Sequence, residues 1–96
     1  MSPKNKKKLA KIRIKLDNLD NQFLSLIKSR TNLVNEVVKL KEYKNEIVDK
    51  RRIKIILKKI NQKSKKINID PKITNRIWKN MIWAYINYER KNFKKK

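Results

Sequence analysis

The chain has 96 residues, of which 29 are Lys or Arg and only 8 are Asp or Glu, giving a formal charge of +21. It holds no Gly, Cys or His, which excludes disulfides, thiolate metal sites and histidine chemistry. Phosphate-cradling loops are excluded as well, because their close backbone approach needs Gly.

Such a charge suits an anionic partner: nucleic acid, an anionic membrane surface or a small polyanion. Abundant Lys, Ile and Asn is also what an A·T-rich genome produces without selection for charge. No apolar run approaches the ~20 residues of a membrane span. Met1 to Lys8 is basic, but the Leu9-Ala-Lys-Ile-Arg-Ile-Lys that follows is no signal-peptide core. The expectation is one small cytoplasmic domain over residues 1–96, with 1–7 and 92–96 frayed. Few turn formers and long periodic stretches predict an all-α fold.

The first element runs from Leu9 to about Lys41. Leu9, Ile12, Leu16, Leu19, Phe23 and Leu26, then Leu33, Val37 and Leu40, recur at three- and four-residue steps. That is the stripe of one long helix packing on other helices. At ~1.5 Å per residue it would reach roughly 50 Å, too long for a compact monomer of this size. Either the helix lies across a second chain or it is kinked, and an intertwined homodimer covers both of its ends.

Glu42 to Val48 loses the periodicity and reads as a loop. Asp49 can cap a second helix, whose apolar face is Ile53, Ile56, Leu57 and Ile60. Asn61 to Asn68 reads as the end of that helix and a connection. Asp70-Pro71 opens a third helix, a capping carboxylate followed by Pro at the first helical position. Ile73, Ile77, Met81, Ile82, Tyr85 and Tyr88 form its apolar spacing. Trp78, Trp83, Tyr85 and Tyr88 could stack on single-stranded nucleic acid, but their helical spacing favours core and rim packing.

Three charges stand out. Arg30 falls where the stripe calls for a core residue, and a guanidinium cannot lose its proton, so it needs an anion. That anion is either a ligand or a structural Asp or Glu. Lys41 lies eleven residues on, ~16 Å along the axis and on the same helix face, so both side chains could lean toward one anion. A solvated helix end beside the negative dipole terminus is the other reading of Lys41. Arg13 is about 25 Å before Arg30 and roughly 100° round. It is either an exposed cation or, in an antiparallel dimer, a contributor to the partner's ligand site.

The order Arg13, Leu16, Leu19-Asp20, Leu24, Leu26, Arg30, Val37, Lys41, then Asp49 and Arg52, then Asp70-Pro71, resembles the all-α chorismate mutases. Isochorismate-pyruvate lyases share that fold. The resemblance covers about Leu9 to Lys91, and its most telling part is the Arg–Asp–Arg–Lys spacing on the first helix. It implies an intertwined helical dimer with two sites, each a cage of cations around a small dianion. Arg30, Lys41 and Arg52 would come from one chain and Arg13 from the other. Arg13 and Arg30 would clamp the two carboxylates bidentately. Lys41 would sit at the ether oxygen that gathers charge as its bond breaks. Asp49, Ile53 and Tyr85 would line the same site, although core packing also accounts for Tyr85. Arg51 is the alternative to Arg52.

Chorismate to prephenate is a pericyclic rearrangement, so the resemblance implies no cofactor, metal or covalent intermediate. Holding the folded conformer and stabilising a polarised transition state suffice. The family's mutases usually carry a Glu where this chain has Ile53, and the lyases carry an apolar residue there. The donor to the ether oxygen is commonly Gln, and here it is Glu89. An ionised Glu would repel the developing charge, so Glu89 must be protonated or paired with Lys41. The expected function is therefore chorismate mutase, with isochorismate-pyruvate lyase as the alternative. Nucleic acid is the disfavoured partner, because lysines lie on all three helices and such binding leaves Arg30 unexplained. No membrane partner is expected.

Overall fold

In a computed structural model, which describes residues 1–94, the chain folds into three α-helices. They are α1 over Pro3–Leu40, α2 over Lys50–Lys66 and α3 over Pro71–Asn92, with a single 3₁₀ turn at Lys44–Glu46. No strand occurs among the described residues, as the composition predicts. Of the ends expected to fray, Lys95 and Lys96 lie outside the described residues.

The first helix starts at Pro3, ahead of the expected Leu9. The cause is local. The Ser2 hydroxyl accepts the Asn5 amide hydrogen at 3.2 Å, and Pro3 takes the first helical position with its φ already set. The chain divides into two units, Met1–Leu33 and Val34–Lys96. The first is entirely the amino-terminal part of α1 and its lead-in. Its stripe residues Ile12, Leu16, Leu19, Phe23 and Leu26 are all at least half exposed. Within it the Ser29 and Thr31 hydroxyls donate back to the carbonyls of Ser25 and Ile27, a pattern that spends the hydroxyl inside the helix.

The second unit carries the core. Ile47, Ile82 and Ile86 are its buried apolar residues, and Val48, Ile53, Ile56, Leu57 and Phe93 pack against them. The α2 contribution is three of the four predicted stripe residues, Ile53, Ile56 and Leu57. Its start is the predicted cap as well: Asp49 Oδ1 accepts from the Arg52 amide at 3.0 Å. The α3 start is also as predicted, with Asp70 Oδ1 accepting from the Lys72 amide at 3.0 Å.

The buried face of α3 overlaps the expected one only in its second half. Ile82 is buried and Met81, Tyr85 and Tyr88 half-buried as expected, but Ile73 and Ile77 are 57% and 42% exposed, and Ile86 and Glu89 are buried in addition. This helix has apolar residues on more than one face, and its packing on α2 selects which face is covered. Trp83 is half exposed and Trp78 half-buried.

Between α2 and α3 the chain turns without glycine. Asn68 takes a left-handed φ of 60°. The Asn68 amide donates to the Lys65 carbonyl and the Ile69 amide to the Ser64 carbonyl. This is a Schellman helix end, with Asn in the place usually held by Gly. Ser64 then ties the helices together. Its buried hydroxyl donates to the Ile60 carbonyl at 2.6 Å and lies 2.7 Å from the Thr74 hydroxyl. Thr74 in turn lies 3.4 Å from the Pro71 carbonyl, so the two hydroxyls link the end of α2 to the first turn of α3, and either can donate to the other.

Candidate functional site

The carboxyl end of α1 places Lys41. The helix stops at Leu40, and the Lys41 amide donates to Val38 in a tighter final turn. The next segment folds on itself. The Glu46 amide donates to the Tyr43 carbonyl, the Ile47 amide to the Lys44 carbonyl, and Glu46 Oε2 accepts from the Glu42 amide. Those bonds carry Ile47 into the core, where only 3% of its surface remains exposed. The Ile47 carbonyl is thereby brought to 3.5 Å from Lys41 Nζ.

Glu89 completes this arrangement from α3. Its Oε1 lies 3.3 Å from Lys41 Nζ, with the two side chains 18% and 10% accessible. The pairing with Lys41, one of the two conditions set for Glu89 by the sequence, is present. Two of the three ammonium protons are directed at Glu89 and Ile47, which leaves one for a ligand. An ion pair so shielded is screened weakly by salt and holds its ammonium in a fixed place.

Lys41 borders an open pocket of about 590 Å³, together with Glu46, Val48, Asp49 and Lys50. Asp49 is there as the α2 cap, so one carboxylate oxygen is spent on the helix. Arg52 stands exposed in the first turn of α2. Ile53, expected to face the ligand, packs against the core cluster. Tyr85 is half-buried and meets Tyr88 edge-on, with ring centroids 6.4 Å apart. The Tyr88 hydroxyl in turn donates to Asn35 Oδ1 at 2.8 Å. Arg13 and Arg30 belong to the first unit, on α1, where Arg13 is exposed and Arg30 half-buried.

The structure thus brings Lys41 to Glu89 and puts Lys41 and Asp49 on one pocket. Ile47 was read only as part of a loop. The signal for it was present: Ile47-Val48 is the one apolar pair in a polar connection, directly before the α2 cap.

The family model for chorismate mutase type II matches residues 12–90. The chain belongs to the type II chorismate mutase family. A curated chorismate mutase of Methanocaldococcus jannaschii is 37% identical over 76 residues, covering 78% of this chain and 77% of that protein. No solved structure matches. Both comparisons name chorismate mutase, and the lyase alternative is not favoured by them. No helix among the described residues is long and apolar enough to cross a membrane.

Proposed function

We propose that this chain is a chorismate mutase, an isomerase converting chorismate to prephenate in the cytoplasm for aromatic amino-acid biosynthesis. Residues 1–96 are read as one catalytic domain, since the family match runs through both units. The observation that carries the reading is the Lys41 ammonium. It is held by Glu89 and the Ile47 carbonyl at the edge of a pocket, with a proton left over.

The reaction asks for little else. As the ether bond lengthens, its oxygen gathers negative charge, and a fixed N–H donor there stabilises the transition state more than the ground state. Glu89 serves this step by holding Lys41 rather than by touching the oxygen. Arg30 and Arg52 supply charge for the substrate carboxylates. Arg13 does so from a second copy of the chain, and Asp49 and Tyr85 border the substrate.

The dimer is part of the proposal. The apolar stripe of α1 stays exposed from Ile12 to Leu40 in the single chain, and two such helices laid together would cover it. A monomeric mass by light scattering at micromolar concentration would remove the dimer and the assigned role of Arg13. For the activity, the purified protein is incubated with chorismate and prephenate is assayed. Enzyme-dependent prephenate is expected; formation no faster than in buffer would overturn the assignment.

A further inference from the structure

The expectation against nucleic acid rested on lysines lying on all three helices, but their density is uneven. From Leu16 to Ile27 in α1 there is no cation at all. In α2, nine of 17 residues are Lys or Arg, every one exposed, and the helix holds no acid. The nearest acids along the chain are Asp49 and Asp70, and each is spent capping a helix. Like charges four residues apart, such as Lys50, Lys54 and Lys58, destabilise the helix by a few tenths of a kcal/mol per pair. Nothing on α2 offsets them.

The cations of α2 fall into two rails. At about 100° per residue, Lys50, Lys54, Lys58 and Lys65 occupy one arc of roughly 80°. Lys66, Lys59, Arg52 and Lys63 occupy a second, narrower arc beginning about 80° further round. Between the rails lie Ile55, 39% exposed, and Gln62, with Arg51 at the edge. The remaining face is the stripe against α3, so the rails look outward.

We infer that the exposed face of α2 is a docking surface for duplex DNA, held through its phosphates. A helix about 10–12 Å across matches a major groove about 12 Å wide, and two rails suit the two phosphate rows that border it. The α2 of a second copy is excluded as the occupant by like charge. A lipid surface fits less well: the apolar face of α2 is already used against the core, leaving nothing to insert. It would also touch only one side of the cationic arc. The contact is electrostatic and largely indifferent to sequence. This surface does not depend on the proposed mutase activity, although Lys50, at the pocket, and Arg52 belong to both.

The test uses the full chain and a fluorescein-labelled DNA duplex of about 20 base pairs, with anisotropy read from about 50 to about 200 mM salt. Log affinity is expected to fall linearly with log salt. Neutralising Lys54, Lys58, Lys59 and Lys65 together to Gln should reduce that slope by about three to four. Neutralising Lys4, Lys6, Lys7 and Lys8 to Gln should change it far less. Equal losses from the two quadruple variants would overturn the proposal, since the charge would then act without regard to place. So would an unchanged slope in the α2 variant, the absence of binding at the lowest salt, or tighter binding to phosphatidylglycerol vesicles than to the duplex. Chorismate turnover and helical circular dichroism are measured on the same variants and should be retained. Binding without turnover in the unmodified chain would sink the enzyme assignment and leave this one standing.

Discussion

Lys41 Nζ and Glu89 Oε1 meet at 3.3 Å across 48 residues of sequence. Each is the other's counter-charge, and the Ile47 carbonyl leans on the same ammonium. The pair fixes a cation in a nearly dry place, and that fixity is what an electrostatic catalyst requires.

Lys41→Ala should therefore lower kcat with chorismate by about 10²–10³, the usual effect of removing one donor aimed at developing charge. KM should move much less, because the arginines proposed to hold the carboxylates remain. Steady-state kinetics decides this, and an unaltered kcat would reject the role given to Lys41.

Glu89→Ala should cost stability as well as activity. It leaves an ammonium shielded from water without its anion, a loss of about 3 kcal/mol at the low end of such cases. The low end applies because both side chains keep some accessibility. Glu89→Gln retains an acceptor oxygen and should cost less. Urea unfolding of the two variants beside the parent checks the order, and a Glu89→Gln midpoint equal to the parent's would show that the charge of Glu89 is not what holds Lys41.

Asp49 has two offered duties, a helix cap and a wall of the pocket. Asp49→Ala should lose about 1 kcal/mol from the missing cap, while Asp49→Asn should keep it, since Asn caps as well. If Asp49→Asn also keeps kcat/KM, the carboxylate charge has no part in substrate binding. A loss of kcat/KM at unchanged stability would assign it one.

Asn68 holds a left-handed turn in a chain without glycine. Asn68→Gly should unfold at nearly the same urea concentration as the parent, or slightly higher. Asn68→Val should lose about 1–2 kcal/mol, because a branched side chain crowds the following carbonyl in that conformation. Similar midpoints for the two would place the turn elsewhere.

What could be read from the sequence was what short-range chemistry decides. Asp49 and Asp70-Pro71 start helices through bonds three or fewer residues away, and both are found as expected. Ser2-Pro3 is a signal of the same kind, but the lysines after it look like a solvated tail, so the early start of α1 was missed. The buried face of α3 was legible in part: Ile82 is buried as its spacing indicates. Ile73 and Ile77 satisfy helical spacing as well as Ile86 does, and only the packing partner distinguishes them. Glu89 shows a further limit: periodicity treats a carboxylate as surface, and only a cation far away in sequence makes its burial tolerable. The family resemblance supplied that cation in advance, which is why the Lys41–Glu89 contact was among the expectations.

Ile47 is at once the plug of the small core and the strap around the ammonium. Gentle warming that loosens the plug will slacken the strap as well. Turnover should therefore fade on heating before the helices melt, with the active centre acting as the first thermometer of the fold.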